Sequence, residues 1–138
     1  MAYWLMKSEP GEYSFDDLVR DGKTKWDGVR NFQARNNMKA MKKGDHVLIY
    51  HSISDKALIG IAEVVKEHYP DPLDNEKGQW VLVDIAPVKK LKRPVTLAEI
   101  KDHKTLSDIP LVKQSRLSVM PLAKKEFDGL IELSQQNP

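Results

Sequence analysis

The segment Trp26-Asp27-Gly28-Val29-Arg30-Asn31-Phe32-Gln33-Ala34-Arg35-Asn36-Asn37 concentrates planar and hydrogen-bonding side chains. A tryptophan ahead of a glycine turn can offer a flat face for stacking. Asn amides carry a donor and an acceptor together, as the edge of a nucleobase requires. On a helix, Asn31 and Arg35 stand one turn apart and flank the apolar face formed by Ala34, Met38 and Met41, where such residues could line the rim of a pocket whose floor is the core. The same residues have a purely structural reading, with Trp26 in the core, Asn31 as an N-cap and Arg35 as a surface ion-pair partner. Composition does not separate the two.

Other chemistry finds less support. His51 and Ser52 are neighbours, but adjacent strand residues face opposite sides, so the histidine is badly placed as a base for the serine; Ser8 and Glu9 share the limitation. Neither a GxSxG elbow nor an HExxH helix occurs, and no catalytic residues are assigned. The four histidines, His46, His51, His68 and His103, have no paired ligand spacing, and there is no cysteine. No metal site is expected. Asp71, Asp74, Asn75 and Glu76 offer oxygens without the EF-hand register and read as a solvated turn. The seven glycines form no phosphate loop or dinucleotide fingerprint, so no cofactor is expected.

A chain of 138 residues, 41% of them apolar, suits one domain spanning 1–138. The apolar start, Met1 to Met6, is too short for a signal peptide, and no stretch is long enough to cross a bilayer. These features and the lack of cysteine fit a soluble, cytoplasmic protein, expected to be a monomer. The net charge of +2 hides a gradient: Ala86 to Lys125 holds 10 basic and 3 acidic residues. Lys89, Lys90 and Arg93, with Lys92, Lys113 and Arg116, can supply phosphate contacts if folding gathers them on one face. Otherwise they are a solvated surface.

The elements that must position these residues are legible in outline. Tyr3 to Met6 reads as a strand stopped by Pro10-Gly11, and Ser14 opens a short helix with Asp17 completing a capping box. A helix follows from about Asn31 to Lys42, stopped by Gly44. His46 to Ser52, Leu58 to Tyr69 and Gln79 to Val88 read as strands, with Pro70 to Gly78 as an exposed hairpin connection. Thr96 caps a helix over about Leu97 to His103, with Glu99 as its capping partner, and a last helix covers about Ala123 to Leu133. Strands in the middle with helices at the margins predict an α+β fold, a barrel or a sandwich flanked by short α-helices, rather than regular parallel βαβ units.

Five separated stretches, in order over nearly the whole chain, then carry a resemblance. They are Tyr3-Trp4-Leu5-Met6-Lys7-Ser8-Glu9-Pro10, the Trp26 to Asn37 segment, Tyr50-His51-Ser52, Gly60-Ile61-Ala62-Glu63-Val64, and Arg116-Leu117-Ser118-Val119-Met120-Pro121. Together they closely resemble the EVE domain family, of PUA-like fold and related to the YTH readers of methylated adenine in RNA. The resemblance implies a mixed β-barrel and a non-catalytic domain that binds nucleic acid, DNA or RNA, through a pocket for one flipped or single-stranded, modified base, notably a modified cytosine; the alternatives are an enzyme acting on modified nucleotides and a module that binds a small ligand or a protein. It places Lys7 and Ser8 beside the pocket, makes Trp26 the stacking wall, and puts Asn31 and Arg35 next to it. Tyr50, His51 and Ser52 approach from the central strand, and Arg116, Leu117 and Ser118 close the site. Trp80 and Phe32 are candidates for a second aromatic.

Overall fold

The computed structural model describes residues 1–74 and 79–136. Six strands form one mixed sheet: β1 (Tyr3–Ser8), β2 (Thr24–Trp26), β3 (His46–His51), β4 (Ala57–Pro70), β5 (Val81–Thr96) and β6 (Val119–Leu122), in the order β2-β5-β4-β3-β1-β6. Five helices surround it: α1 (Phe15–Asp21), α2 (Phe32–Ala40), α3 (Leu97–Asp102), α4 (Pro110–Lys113) and α5 (Lys124–Gln135). Only β1 and β3 pair in parallel, because α1, β2 and α2 intervene and carry the chain back to the same end of the sheet. All other pairs are antiparallel, which gives the expected α+β class.

Helix α2 packs against β6 at one end of the strand order and also against β5 and β4 towards the other, which requires the sheet to curl around it. Its side chains tie both ends. Asn37 Nδ2 donates to the Val119 carbonyl at 2.7 Å, and Arg35 Nη1 donates to the Gln79 carbonyl at 3.0 Å. Curvature comes from irregular pairing between β4 and β5, where the register shifts four times. One shift lies between Ile61 and Ala62, opposite Lys89 and Pro87, so the proline sits where the ladder is already interrupted.

The caps follow the sequence rules. Ser14 and Asp17 form the capping box of α1, and Thr96 accepts from the Glu99 N–H at the start of α3. Asn31 caps α2, which stops at Ala40, two residues before the expected Lys42, where Met41 turns extended and buries its side chain. Strand β5 continues well beyond Val88. The basic residues from Lys89 to Arg93, beyond the expected end of the strand at Val88, therefore lie on it. The core is one cluster, including Leu5, Met6, Phe15, Leu48, Leu58 and Ile85 from the sheet and α1, with Met38 from α2 and Met41 just after it. Of the expected 70–78 connection, residues 75–78 lie outside the described residues. Asp71 there is buried rather than solvated: its carboxylate accepts from the Leu73 N–H at 2.9 Å and meets Arg30 at 3.1 Å.

Candidate functional site

The end of β1 and the turn after it build one wall of a cavity. Glu12 N–H and Tyr13 N–H both donate to the Glu9 carbonyl, at 2.9 and 2.8 Å, and Ser8 Oγ donates to the Tyr13 carbonyl. The turn is thereby folded back onto the strand. The opposite wall is β2, whose pairing with β5 sets Trp26 beside Val83. Between them lies a space of about 510 Å³, of a size that takes a small ligand. Lys7, Ser8 and Glu9 line it from β1, Glu12 and Tyr13 from the turn, and Thr24, Lys25, Trp26 and Asp27 from β2.

Trp26 combines features of both sequence readings: it is partly buried, packs on the margin of the core, and also lines this cavity. Tyr13 is the second aromatic there, and its hydroxyl donates to Asp21 at 2.8 Å. Three carboxylates, Glu9, Glu12 and Asp27, stand against two amines, Lys7 and Lys25, so the lining is net acidic. Burial lowers the Lys7 pKa below the ordinary lysine value, and its ammonium donates to the Ser115 carbonyl at 2.8 Å.

That bond leads to two adjoining grooves. One, about 280 Å³, is lined by Asn31, Gln33, Gln114, Ser115, Arg116 and Leu117. The other, about 420 Å³, shares Lys7, Glu9 and Ser115 with its neighbours and adds Tyr50, Ser52, Lys56 and Ser118. The residues expected in a single pocket are thus distributed over three connected concavities: Lys7, Ser8 and Trp26 in the first, Asn31, Arg116 and Leu117 in the second, and Tyr50, Ser52 and Ser118 in the third with Lys7. Backbone bonds hold this arrangement, with Lys7 N–H on the Ser118 carbonyl and Ser52 N–H on the Ser8 carbonyl, both at 2.9 Å.

Two expected pocket residues lie elsewhere. His51 is 5% exposed; its Nε2 accepts from the Phe15 N–H at 3.0 Å and its Nδ1 faces Asp55 at 2.9 Å, so the ring latches α1 to β3. Arg35 lines none of the three concavities and spans Asn36 and the Gln79 carbonyl. Phe32 and Trp80 also stay out of the cavity. They stack on each other at 5.1 Å between centroids, with Arg35 over Phe32 and Arg30 over Trp80, and pin the start of β5 to α2.

The basic residues expected to act together do not share a face. Lys89 and Lys90 are consecutive on β5 and so point to opposite sides. Lys89 lies beside α5, with Phe127 and Ile131, whereas Lys90 reaches Asp16 in the first turn of α1 at 3.1 Å. Arg93 is held by Glu99 at 2.9 Å and by the Gln136 carbonyl at 2.6 Å. The residues sequence reasoning missed are Glu9, Glu12, Tyr13, Thr24, Lys25 and Asp27 around Trp26. The one signal for them was the Pro10-Gly11 turn, which had to send the chain back past β1.

A family model described as EVE domain matches residues 2–133. Human thymocyte nuclear protein 1 is 36% identical over 170 residues, covering 99% of this chain and 76% of that protein. An NMR structure of a protein from Rhodopseudomonas palustris is 45% identical, with a TM-score of 0.93, covering 98% of this chain and 94% of the other. A crystal structure of human THYN1 protein in complex with DNA containing 5-methylcytosine is 36% identical, with a TM-score of 0.91 and full coverage of both chains. The YTH domain of a Zygosaccharomyces rouxii protein, 14% identical with a TM-score of 0.63 over 99% of this chain and 88% of that one, shares the fold. No helix among the described residues is long and apolar enough to cross a membrane.

Proposed function

The chain belongs to the EVE domain family, and from that premise we propose that it is a non-catalytic reader of nucleic acid whose Trp26 cavity receives one extruded, modified base. The whole chain works as one EVE domain in this reading, as a monomer, on nucleic acid of the cytoplasm. The observation that carries the proposal is the placement of Trp26, partly exposed on the wall of a cavity of about 510 Å³ with Tyr13 as a second ring and unlike charges between. A stacked base gains about 1–3 kcal/mol on such a ring, and the surrounding acceptors and donors fit the polar edge of a base. The complex of the human relative with DNA containing 5-methylcytosine makes modified cytosine the first ligand to try.

In this reading Ser8 and Lys7 set the depth of the cavity, Trp26 is the stacking wall, and the Tyr50, Ser52 and Ser118 groove accommodates what lies next to the base. His51 and Arg35 hold the walls rather than touch the ligand. The test is an affinity comparison over oligonucleotides that each carry one modified base, at two salt concentrations. The proposal expects one modification to bind at least several-fold more tightly than its unmodified parent, and an unpaired target to bind better than the same base in a stable duplex, since extrusion then costs less. Equal binding to all of them contradicts base reading, and turnover of the modified nucleotide contradicts the absence of catalysis.

A further inference from the structure

The chain has five arginines, and four are held by other protein groups. Arg20 meets Asp17 and Asp21 at 3.1 and 3.0 Å, Arg30 meets Asp71 at 3.1 Å, Arg35 donates to the Gln79 carbonyl at 3.0 Å, and Arg93 meets Glu99 at 2.9 Å. Arg116 is exposed on the segment between α4 and β6 and has no side-chain partner among the described residues. It lines the 280 Å³ groove with three side-chain amides, Asn31, Gln33 and Gln114, and with Ser115; no carboxylate lines that groove. Asn31 uses its Oδ1 to accept from the Ala34 N–H at 2.9 Å, which leaves its amide N–H groups to donate outward.

The Trp26 cavity has the opposite character. Glu9, Glu12 and Asp27 outnumber Lys7 and Lys25, so a phosphate there meets net repulsion, while the neutral, donor-bearing edge of a base does not. The bond from Lys7 Nζ to the Ser115 carbonyl links the two spaces: Lys7 lines one, Ser115 the other, and both line the Tyr50, Ser52 and Ser118 groove between them. A nucleotide has the same division, a base joined through its sugar to an anion that a guanidinium fork can grip with two N–H groups.

We propose that the groove at Arg116 seats a backbone phosphate adjoining the nucleotide whose base enters the Trp26 cavity. The inference rests on the base-reading function above and replaces the β5 cations, which are paired or face apart, as the main anion contact.

The experiment uses the whole chain and short single-stranded DNA carrying one 5-methylcytosine, with the linkage on its 5′ or its 3′ side either a normal phosphodiester or a neutral methylphosphonate. Arg116→Ala should bind the normal strand about 10-fold more weakly. It should also lower the slope of log affinity against log salt by about 0.7, the share of one single-strand phosphate. Arg116→Lys should recover part of both, and the preference for the methylated base should survive in each variant. In the unmodified protein, one of the two methylphosphonates should reproduce the loss, and in Arg116→Ala the same replacement should add little. Unchanged affinity and slope in Arg116→Ala, losses that multiply in full, or loss of the methyl preference at constant slope each overturns the phosphate seat. Failure of the unmodified protein to bind any of these strands overturns the base-reading function instead.

Discussion

The Lys7 ammonium donates to the Ser115 carbonyl at 2.8 Å across 108 positions of sequence, and this bond joins the Trp26 cavity to the grooves on either side of the Arg116 segment. No carboxylate ion-pairs with Lys7 among the described residues, and burial already lowers its pKa. Partial burial therefore disfavours the ammonium in the folded protein. Lys7→Met should leave stability within about 1 kcal/mol, because the removed ammonium is one the fold disfavours. It should weaken oligonucleotide binding about 10-fold or more, because an anion or carbonyl brought by the ligand is what would stabilise the charge. Thermal melting and titration of the same variant check both halves.

A second bond network closes the fold at the other end of β1. Asp45 is 3% exposed and accepts from the Ala2 N–H, the Trp4 indole N–H and the Lys42 N–H at 3.0, 3.0 and 2.9 Å. Burial by itself would raise its pKa, but these three donors outweigh burial and hold it below the ordinary carboxylate value. Asp45→Ala leaves the donors without a partner and should cost roughly 2–4 kcal/mol. Because the folded pKa is depressed, this contribution is present above the unfolded value near pH 4 and disappears as pH falls through the folded one. Denaturant titrations at pH 7 and pH 3 should show the gap between Asp45→Ala and the parent narrowing at acid pH.

How much of this was legible in the sequence depended on the range of the physics involved. The caps at Ser14, Asn31 and Thr96 are local hydrogen bonds over three residues, and their residue types announce them. The three residues of β2 have no pattern of their own; Thr24, Lys25 and Trp26 are a strand because β5 is there to pair with them. Strand β5 hides its length for the same reason, since Lys89, Lys90, Lys92 and Arg93 read as loop until β4 supplies a partner on one side. Within the candidate site, Trp26 stood out by type, whereas Glu12 and Tyr13 reach it only through a turn whose direction depends on the Ser8 bond to the Tyr13 carbonyl. His51 looked chemical in sequence, and the backbone N–H of Phe15 that it accepts from, 36 positions away, could not be seen there.

Gly60 has an ordinary backbone conformation, and its lack of a side chain serves packing. A Cβ at this position would stand 2.4 Å from Cε1 and Cζ of Phe15, which is 1% exposed and has no room to retreat. Gly60→Ala should therefore destabilise by about 1–3 kcal/mol through overpacking, despite adding one methyl group. Gly60→Ala combined with Phe15→Leu should recover part of the loss in a melting experiment. Additive losses would contradict the contact.

Tyr69 donates its hydroxyl to Asp84, and burial, the Asp84 hydrogen bond and charge, and the charge of Asp27 push its pKa up to about 12. With the folded value above the unfolded one near 10, the associated stability is complete below pH 10 and is lost as pH rises through 12. Discounted for the partial exposure of the ring, the loss is roughly 1 kcal/mol. Tyr69→Phe cannot lose a phenolic proton, so its stability relative to the parent should rise over that interval. A constant difference between the two proteins from pH 9 to pH 12 would contradict the coupling.

Trp26→Ala, measured for binding and for melting on the same preparation, separates a stacking wall from a core residue. A ring that lines the cavity from the margin of the core should cost the fold less than the roughly 3–5 kcal/mol of a fully buried aromatic. Its loss should weaken binding to a strand containing unpaired 5-methylcytosine about 5- to 150-fold, as expected from about 1–3 kcal/mol of base stacking. The ratio of affinities for 5-methylcytosine and cytosine should fall towards one in the same variant. A large drop in melting temperature, with affinity and methyl preference unchanged in the folded fraction, would contradict the assignment of Trp26 as the wall against which the base lies.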